Sequence, residues 1–325
     1  MTEKLALGQA LNLGLRHAME ADPKVLLMGE DIGRLGGVFR VTEGLQKDFG
    51  PDRVRDTALA ESAIVGTAVG MAMRGYRPVI EIQFDGFVFV AYDQIINQVA
   101  RLHFRSHGSV RMPIVIRIPY GGGIGAVEHH SECPESYFAQ VPGLKVLTCS
   151  TPQDAYSLMR LAIASDDPVV FLEPKRRYWQ SGEVDSTEPG SWTSKLVRSS
   201  PNASATLIGY GPMMATCLET ADVAAAEGIE LDVIDLRTLS PLDLEPVFES
   251  VRRTGRAIVT HEAPGNLGLG AEIASRITQE CFYSLEAPVL RVTGYDIPYP
   301  PSRIEHDHLP DVDRLMDALE RSGDW

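Results

Sequence analysis

Basic residues, cysteines and long apolar runs are all scarce in this sequence, and each scarcity removes a class of function. Lys and Arg number 30 against 44 Asp and Glu, a formal charge of −14. Polyanion binding needs clustered Lys and Arg, so no nucleic-acid partner is expected. An acidic surface suits a basic protein partner, and it equally serves simply to keep a protein dissolved. The four cysteines, Cys133, Cys149, Cys217 and Cys281, include no Cys-x-x-Cys pair. That spacing argues against a zinc ribbon and against a disulfide framework. No stretch approaches the roughly 20 apolar residues needed to cross a bilayer. The amino terminus lacks the basic start, apolar block and small-residue cleavage site of a secretory signal. Its apolar positions Leu5, Leu11, Leu15, Ala18 and Met19 fit an amphipathic helix over 4–21 instead. A cytoplasmic protein with reduced thiols and no membrane association is expected.

Strands and helices alternate along the chain. At roughly 150 residues per domain, the length of 325 residues predicts about two domains. Over 1–180 the β-rich runs KVLLMG (24–29), RPVIEIQF (77–84), PIVIRI (113–118) and PVVFLE (168–173) are separated by helical stretches near 4–21, 61–74, 88–106 and 152–164. Such alternation predicts a parallel sheet covered on both faces. Residues 181–204, rich in Ser, Pro, Gly and Thr, read as an inter-domain linker. A second α/β pattern fills 205–325: strands ATLIGYG, IELDVIDLRTLSP, RAIVTHEAPG and APVLRVTGYD, with helices between them. The expected fold class is α/β, with two parallel-sheet domains.

Two stretches carry candidate chemistry. Glu61 opens an apolar helix whose small residues include Gly66 and Gly70, one turn apart, so another backbone or a flat ligand can approach closely. On periodicity alone Glu61 is an ordinary first-turn carboxylate favoured by the helix dipole. At a tight apolar surface the same group would have a raised pKa and share a proton with a ligand nitrogen. The second stretch follows a strand ending at Pro119: Gly121, Gly122, Gly123 and Gly125 form a flexible loop leading to Glu128, His129, His130 and Glu132. Ligands gather beyond the carboxyl ends of parallel strands, so a site belongs there. No Gly-Lys-Ser/Thr follows, which excludes a Walker loop, and the glycine spacing fits a dinucleotide fingerprint poorly. Adjacent His and Glu rarely converge on one ion, so zinc is not expected. Composition leaves a solvated polar loop and a proton-transfer loop both open.

The blocks MGEDIGRLGGVFRVTEGL (28–45), EIQFDGFVFVAYDQIINQVA (81–100), HHSECPESYFAQVPGLKV (129–146), FLEPKRRYW (171–179), VIDLRTLSPLD (233–243) and THEAPGNLGLGAEIA (260–274) occur in order over almost the whole chain. Together they resemble the beta subunits of branched-chain 2-oxo acid dehydrogenases, with pyruvate dehydrogenase beta subunits as near relatives. The resemblance implies a thiamine-diphosphate-binding (pyrimidine-binding) domain followed by a transketolase C-terminal-like domain. It also implies an α2β2 heterotetramer whose cofactor, thiamine diphosphate, lies between alpha and beta chains. By position, Glu61 matches the catalytic glutamate that hydrogen-bonds a pyrimidine nitrogen and exchanges a proton there. Phe87 matches an aromatic that packs on the pyrimidine ring. Tyrosine is common there in branched-chain enzymes, so Phe87 keeps the stacking face and lacks the hydroxyl.

His130, followed by Ser131, matches the histidine that assists acyl transfer to a lipoyl arm; His129 is the neighbour that could be confused with it. Ile114, Ala162, Ile163, Ser165 and Asp167 match positions that hold a structural potassium ion through backbone carbonyls. Here Ser165 replaces a usual aspartate and Asp167 a usual asparagine. The magnesium and diphosphate motif, Gly-Asp-Gly with an asparagine about 30 residues later, is absent from this chain and in relatives belongs to the alpha subunit. This chain alone is therefore expected to bind the cofactor poorly. HEAP (261–264), LEPKRRYW and GYDIPYP (294–300) resemble branched-chain members more than pyruvate members. The implied reaction is oxidative decarboxylation of a branched-chain 2-oxo acid, with acyl transfer to a lipoyl acyltransferase core. Pyruvate or acetoin is the alternative substrate, and a non-catalytic docking scaffold is the rival from another class.

Overall fold

The computed structural model describes residues 2–325. The alternation builds two sheets with helices on their faces. The first has seven strands, in the order Thr238–Ser240, Lys145–Thr148, Val169–Pro174, Val115–Tyr120, Arg77–Glu81, Val25–Gly29 and Val54–Asp56. All pair in parallel except the edge strand Thr238–Ser240. Every residue of Val25–Gly29, Val115–Tyr120 and Val169–Pro174 is buried, as befits strands covered on both faces. The second sheet has five strands, in the order Leu290–Gly294, Ala257–Pro264, Ala205–Gly209, Leu231–Asp235 and Lys195–Arg198, the last antiparallel. Among the described residues no helix is long and apolar enough to cross a membrane.

Four expectations change. The helix foreseen over 4–21 spans Leu7–Ala21, and Leu5 lies instead on the strand Thr2–Ala6. That strand pairs antiparallel with Ser181–Asp185, while Lys195–Arg198 joins the second sheet, so 181–204 is not a structureless linker. Only Val184 of Ser181–Asp185 is fully buried, too little for a period-two signal. The helix foreseen over 88–106 is broken into a 3₁₀ segment Asp85–Ala91, a π-helical segment Gln94–Val99 and an α-turn Leu102–Arg105. The run Phe87, Val88, Phe89 and Val90 holds aromatic and β-branched residues, which lose rotamer freedom in an α-helix.

The run IELDVIDLRTLSP, expected as one strand, is divided at Arg237, whose φ is 54°. Leu231–Asp235 stays in the second sheet, and Thr238–Ser240 crosses to edge the first. The crossing is held by Arg237, which donates to the Asp154 carboxylate (3.1 Å) and to the Thr193 carbonyl (3.0 Å). One apolar cluster accordingly runs unbroken from Ile116, Ile118 and Phe138 of the first domain to Ile234, Leu239 and Ile273 of the second. The domains share a core, which fixes the second domain against the carboxyl-end loops of the first.

Candidate active site

Apart from the potassium positions, each site candidate follows the carboxyl end of a first-sheet strand. Glu30 follows Val25–Gly29, Glu61 opens the helix after Val54–Asp56, Phe87 follows Arg77–Glu81, and His129 and His130 end the loop after Val115–Tyr120. The topology therefore gathers four short segments at one edge, where a parallel sheet places its ligand.

Glu61 is 8% exposed, and its carboxyl makes no hydrogen bond or ion pair with any described residue. Beside it stands Glu30, which sequence reasoning missed: it is buried, and neither of its carboxylate oxygens has a hydrogen-bond partner among the described residues. Burial, then the charges of Glu61 and Asp31, raise the pKa of Glu30, against an opposing effect of the Ala60 backbone. The available signal was the acid's place immediately after a fully buried strand. Along the helix Glu61–Met73, a Cβ at Gly70 would meet nothing within 4 Å, so that face is open within this chain.

The aromatic half of the site is a packed cluster. Phe87 and His130 rings lie 5.2 Å apart edge to face, Phe84 and His130 4.1 Å, and Phe87 and His129 6.1 Å. Gly86 makes this approach possible, since a Cβ there would sit 2.3 Å from the His129 carbonyl oxygen. The Nδ1 of His130 is buried with no hydrogen-bond partner among the described residues. Burial, then the charges of His129 and Lys175, hold the His130 pKa below its usual value, so the ring is neutral at neutral pH.

Lys175, from the segment FLEPKRRYW, anchors this region. It is fully buried, donates to the His130 carbonyl (2.5 Å) and forms an ion pair with Asp85. Asp85 is also fully buried; burial raises its pKa to about 7 despite the opposing Lys175 charge, and its Oδ2 has no hydrogen-bond partner among the described residues. The glycine loop is not loose either, because the Gly121 N–H donates to the Glu132 carbonyl (3.0 Å) and closes it on itself.

The potassium positions are organised around side-chain cations. The Arg77 guanidinium donates to the carbonyls of Ile163 (2.9 Å) and Ser165 (2.6 Å). The Ile114 carbonyl accepts from the Val169 N–H, and that of Ala162 from the Ser165 N–H. Asp167 pairs with Lys145 at 3.0 Å. A metal ion would have to share Ile163 and Ser165 with Arg77, so the set as it stands does not fit one. Among the described residues no group of three or more His, Cys, Asp and Glu side chains is arranged to hold a metal.

A pyrimidine ring would fit a buried carboxyl with a free end and an apolar ring face, groups of the kind that Glu61 and Phe87 carry after strands of the same sheet. Residues 3–180 match the family "Transketolase, pyrimidine binding domain" and residues 194–315 match "Transketolase, C-terminal domain". The chain is 55% identical to the pyruvate dehydrogenase E1 component subunit beta of Leifsonia xyli, covering 98% of this chain and 95% of that one. It is 52% identical to the 3-methyl-2-oxobutanoate dehydrogenase subunit beta of Mycobacterium tuberculosis (99% and 92% covered). It is 42% identical to the 2-oxoisovalerate dehydrogenase subunit beta of Pseudomonas aeruginosa (96% and 93% covered). A solved split-gene transketolase, described as an inactive beta4 tetramer, superposes with TM-score 0.79 over 98% of both chains at 20% identity, a likeness of fold alone. Buried acid, aromatic platform, two-domain fold and relatives agree: the chain belongs to the beta subunits of the E1 component of 2-oxo acid dehydrogenases.

Proposed function

We propose that this chain completes a thiamine-diphosphate site with an alpha subunit and takes part in oxidative decarboxylation of branched-chain 2-oxo acids. The observation that carries the reading is the Glu61 carboxyl, buried and without a protein partner beside Glu30. Such a group is poised to exchange a proton at a pyrimidine nitrogen, beside a Glu30 carboxyl whose pKa burial and the Glu61 charge raise. Phe87 offers its ring as a stacking face and Gly86 keeps that ring against the histidines. When bound, the cofactor supplies the electron sink that lets carbon dioxide leave. His130, neutral and with a free Nδ1, takes or gives a proton as the acyl group passes to a lipoyl arm. Magnesium and the diphosphate fall to the alpha subunit, because this sequence has no Gly-Asp-Gly motif.

Support for a second chain at the site comes from its surroundings. Leu59, two residues before Glu61, is 80% exposed, and the Gly70 face is open. Exposed apolar surface beside a buried carboxyl suits a protein lid. The M. tuberculosis and P. aeruginosa relatives and the HEAP, LEPKRRYW and GYDIPYP segments favour a branched-chain substrate. Pyruvate is the second reading, favoured by the name of the L. xyli relative at 55% identity.

The test is co-expression with the alpha partner and assay of 3-methyl-2-oxobutanoate against pyruvate. Glu61→Ala is expected to lower turnover by about 10²–10⁴ in the assembled enzyme. Full complex activity in that variant would leave only a scaffold role. A preference for pyruvate would overturn the substrate alone.

A further inference from the structure

The glycine loop before His130 has the backbone of an anion site. Gly121, Gly123 and Gly125 have φ of 86°, 82° and 72°. Left-handed residues alternating along a chain turn successive N–H groups towards one side, the concave nest that in other proteins holds phosphate. Here this chain fills the nest with its own carboxylates, both delivered by the second domain. The Gly122 N–H donates to Glu262 (3.0 Å), and the N–H groups of Gly123 and Gly125 donate to the two oxygens of Glu305 (3.2 and 2.9 Å). The Tyr299 hydroxyl donates to Glu305 (2.8 Å) and accepts from the Gly123 N–H (3.1 Å). Glu305 is 3% exposed, and Arg176 neutralises Glu262 at 2.7 Å. A Cβ at Gly122 would lie 2.0 Å from the Tyr299 oxygen, so no side chain fits between loop and clamp.

The other end of the same loop is held by Lys175 on the His130 carbonyl. Its first half therefore hangs from the second domain and its last half from the first. We propose that Glu305, braced by Tyr299, is a positioning residue for His130: it fixes the glycine loop so that the imidazole meets the acyl acceptor. The proposal rests on the acyl-transfer reading of His130. It gives the second domain a share in that half-reaction, with no part in decarboxylation, where Glu61 acts.

The experiment uses the assembled alpha–beta enzyme and two assays, acylation of a lipoyl domain and decarboxylation with the artificial acceptor 2,6-dichlorophenolindophenol. Glu305→Gln keeps the shape but aims an amide N–H₂ at one of the two backbone donors. Misplacement of a reacting group by an ångström costs up to about 10²-fold. E305Q is therefore expected to lower kcat/KM for the lipoyl domain by about 10–10²-fold, with the dye-coupled rate unchanged. Because one residue acts through the other, His130→Ala with E305Q should be no slower in acylation than His130→Ala alone. Multiplying losses in the double variant, or a parallel fall in the dye-coupled rate, would overturn the positioning role. If His130→Ala alone leaves acylation intact, the reading of His130 fails instead. Should E305Q fail to assemble, Tyr299→Phe removes only the bracing hydroxyl and must show the same selective loss.

Discussion

Two buried cations stand near the same end of the first sheet, and they are satisfied to different degrees. Arg117, at the centre of the sheet, donates to both oxygens of Glu173 (2.7 and 2.9 Å) and to Glu81 (2.6 Å), while the Tyr178 hydroxyl also donates to Glu173 (2.6 Å). Lys175 has one carboxylate, that of Asp85, and one carbonyl, that of His130. Oδ2 of Asp85 and Nδ1 of His130 are left bare. Burial without a partner is costly, so such atoms persist where a function uses them. The Arg117 network is closed and holds the scaffold. Around Lys175 and Glu61 the network is open, and that is where the proposed cofactor would find its partners.

The largest effect expected from this contrast is catalytic. Glu61→Gln should remove about 10²–10⁴ of turnover without lowering the melting temperature of the assembled enzyme, since the carboxyl makes no hydrogen bond or ion pair with a described residue. A clear loss of thermal stability would make Glu61 part of the scaffold. Arg117→Leu should do the reverse. Taking one partner from a buried ion network costs roughly 3–5 kcal/mol, because Glu81 and Glu173 are left as unpaired buried charges. Urea unfolding would measure it, and a loss below about 1 kcal/mol would show that the network contributes no more than a surface pair.

Lys175→Met falls between the two. Asp85 already has a pKa raised to about 7, so it can protonate when its partner goes, whereas two carboxylates depend on Arg117. The expected stability loss is about 1–3 kcal/mol, the cost of leaving buried polar groups unsatisfied. Acyl transfer should fall further than this suggests, because the His130 carbonyl loses its anchor. Equal losses for Lys175→Met and Arg117→Leu would erase the distinction between open and closed networks.

Much of this was legible in the sequence, and the failures share one physical cause. Runs such as VLLMG, VIRI and VVFLE announce interior strands through apolar continuity. The position of Glu61 at a helix start was readable from the apolar run behind it. Glu30, Lys175, Glu262 and Glu305 were not singled out, because a charged letter does not reveal that a distant strand will bury it. The two halves of IELDVIDLRTLSP enter different sheets because Arg237 turns and finds Asp154 and Thr193, partners no local pattern encodes. The strands Thr2–Ala6 and Ser181–Asp185 likewise need each other, and neither carries a signal alone. Glycines at 121–125 announced a loop with special backbone; that carboxylates of the same chain would fill it depends on the second domain's approach.

The smallest effect tests an open group that no assigned chemistry uses. Glu135 is fully buried, accepts from the Tyr210 hydroxyl at 2.8 Å, and leaves Oε2 bare. Burial raises its pKa to about 7 from 4.5, against opposing hydrogen bonds, and Glu262 adds to the rise. A carboxyl with a raised native pKa binds its proton more tightly folded than unfolded. Its contribution to stability is complete below the unfolded value and is lost as pH climbs through the window from 4.5 to about 7. The slope from one such group is at most about 1.4 kcal/mol per pH unit. Glu135→Gln keeps an acceptor for Tyr210 and removes the titration. The fall in melting temperature of the assembled enzyme between pH 5 and pH 8 should therefore shrink in the variant, which gains at the alkaline end. Asp85 and Asp235, both with pKa values raised to about 7, titrate in the same window and leave a residual slope. An unchanged slope in Glu135→Gln would mean that the bare oxygen finds water, and that Glu135 belongs with the closed network after all.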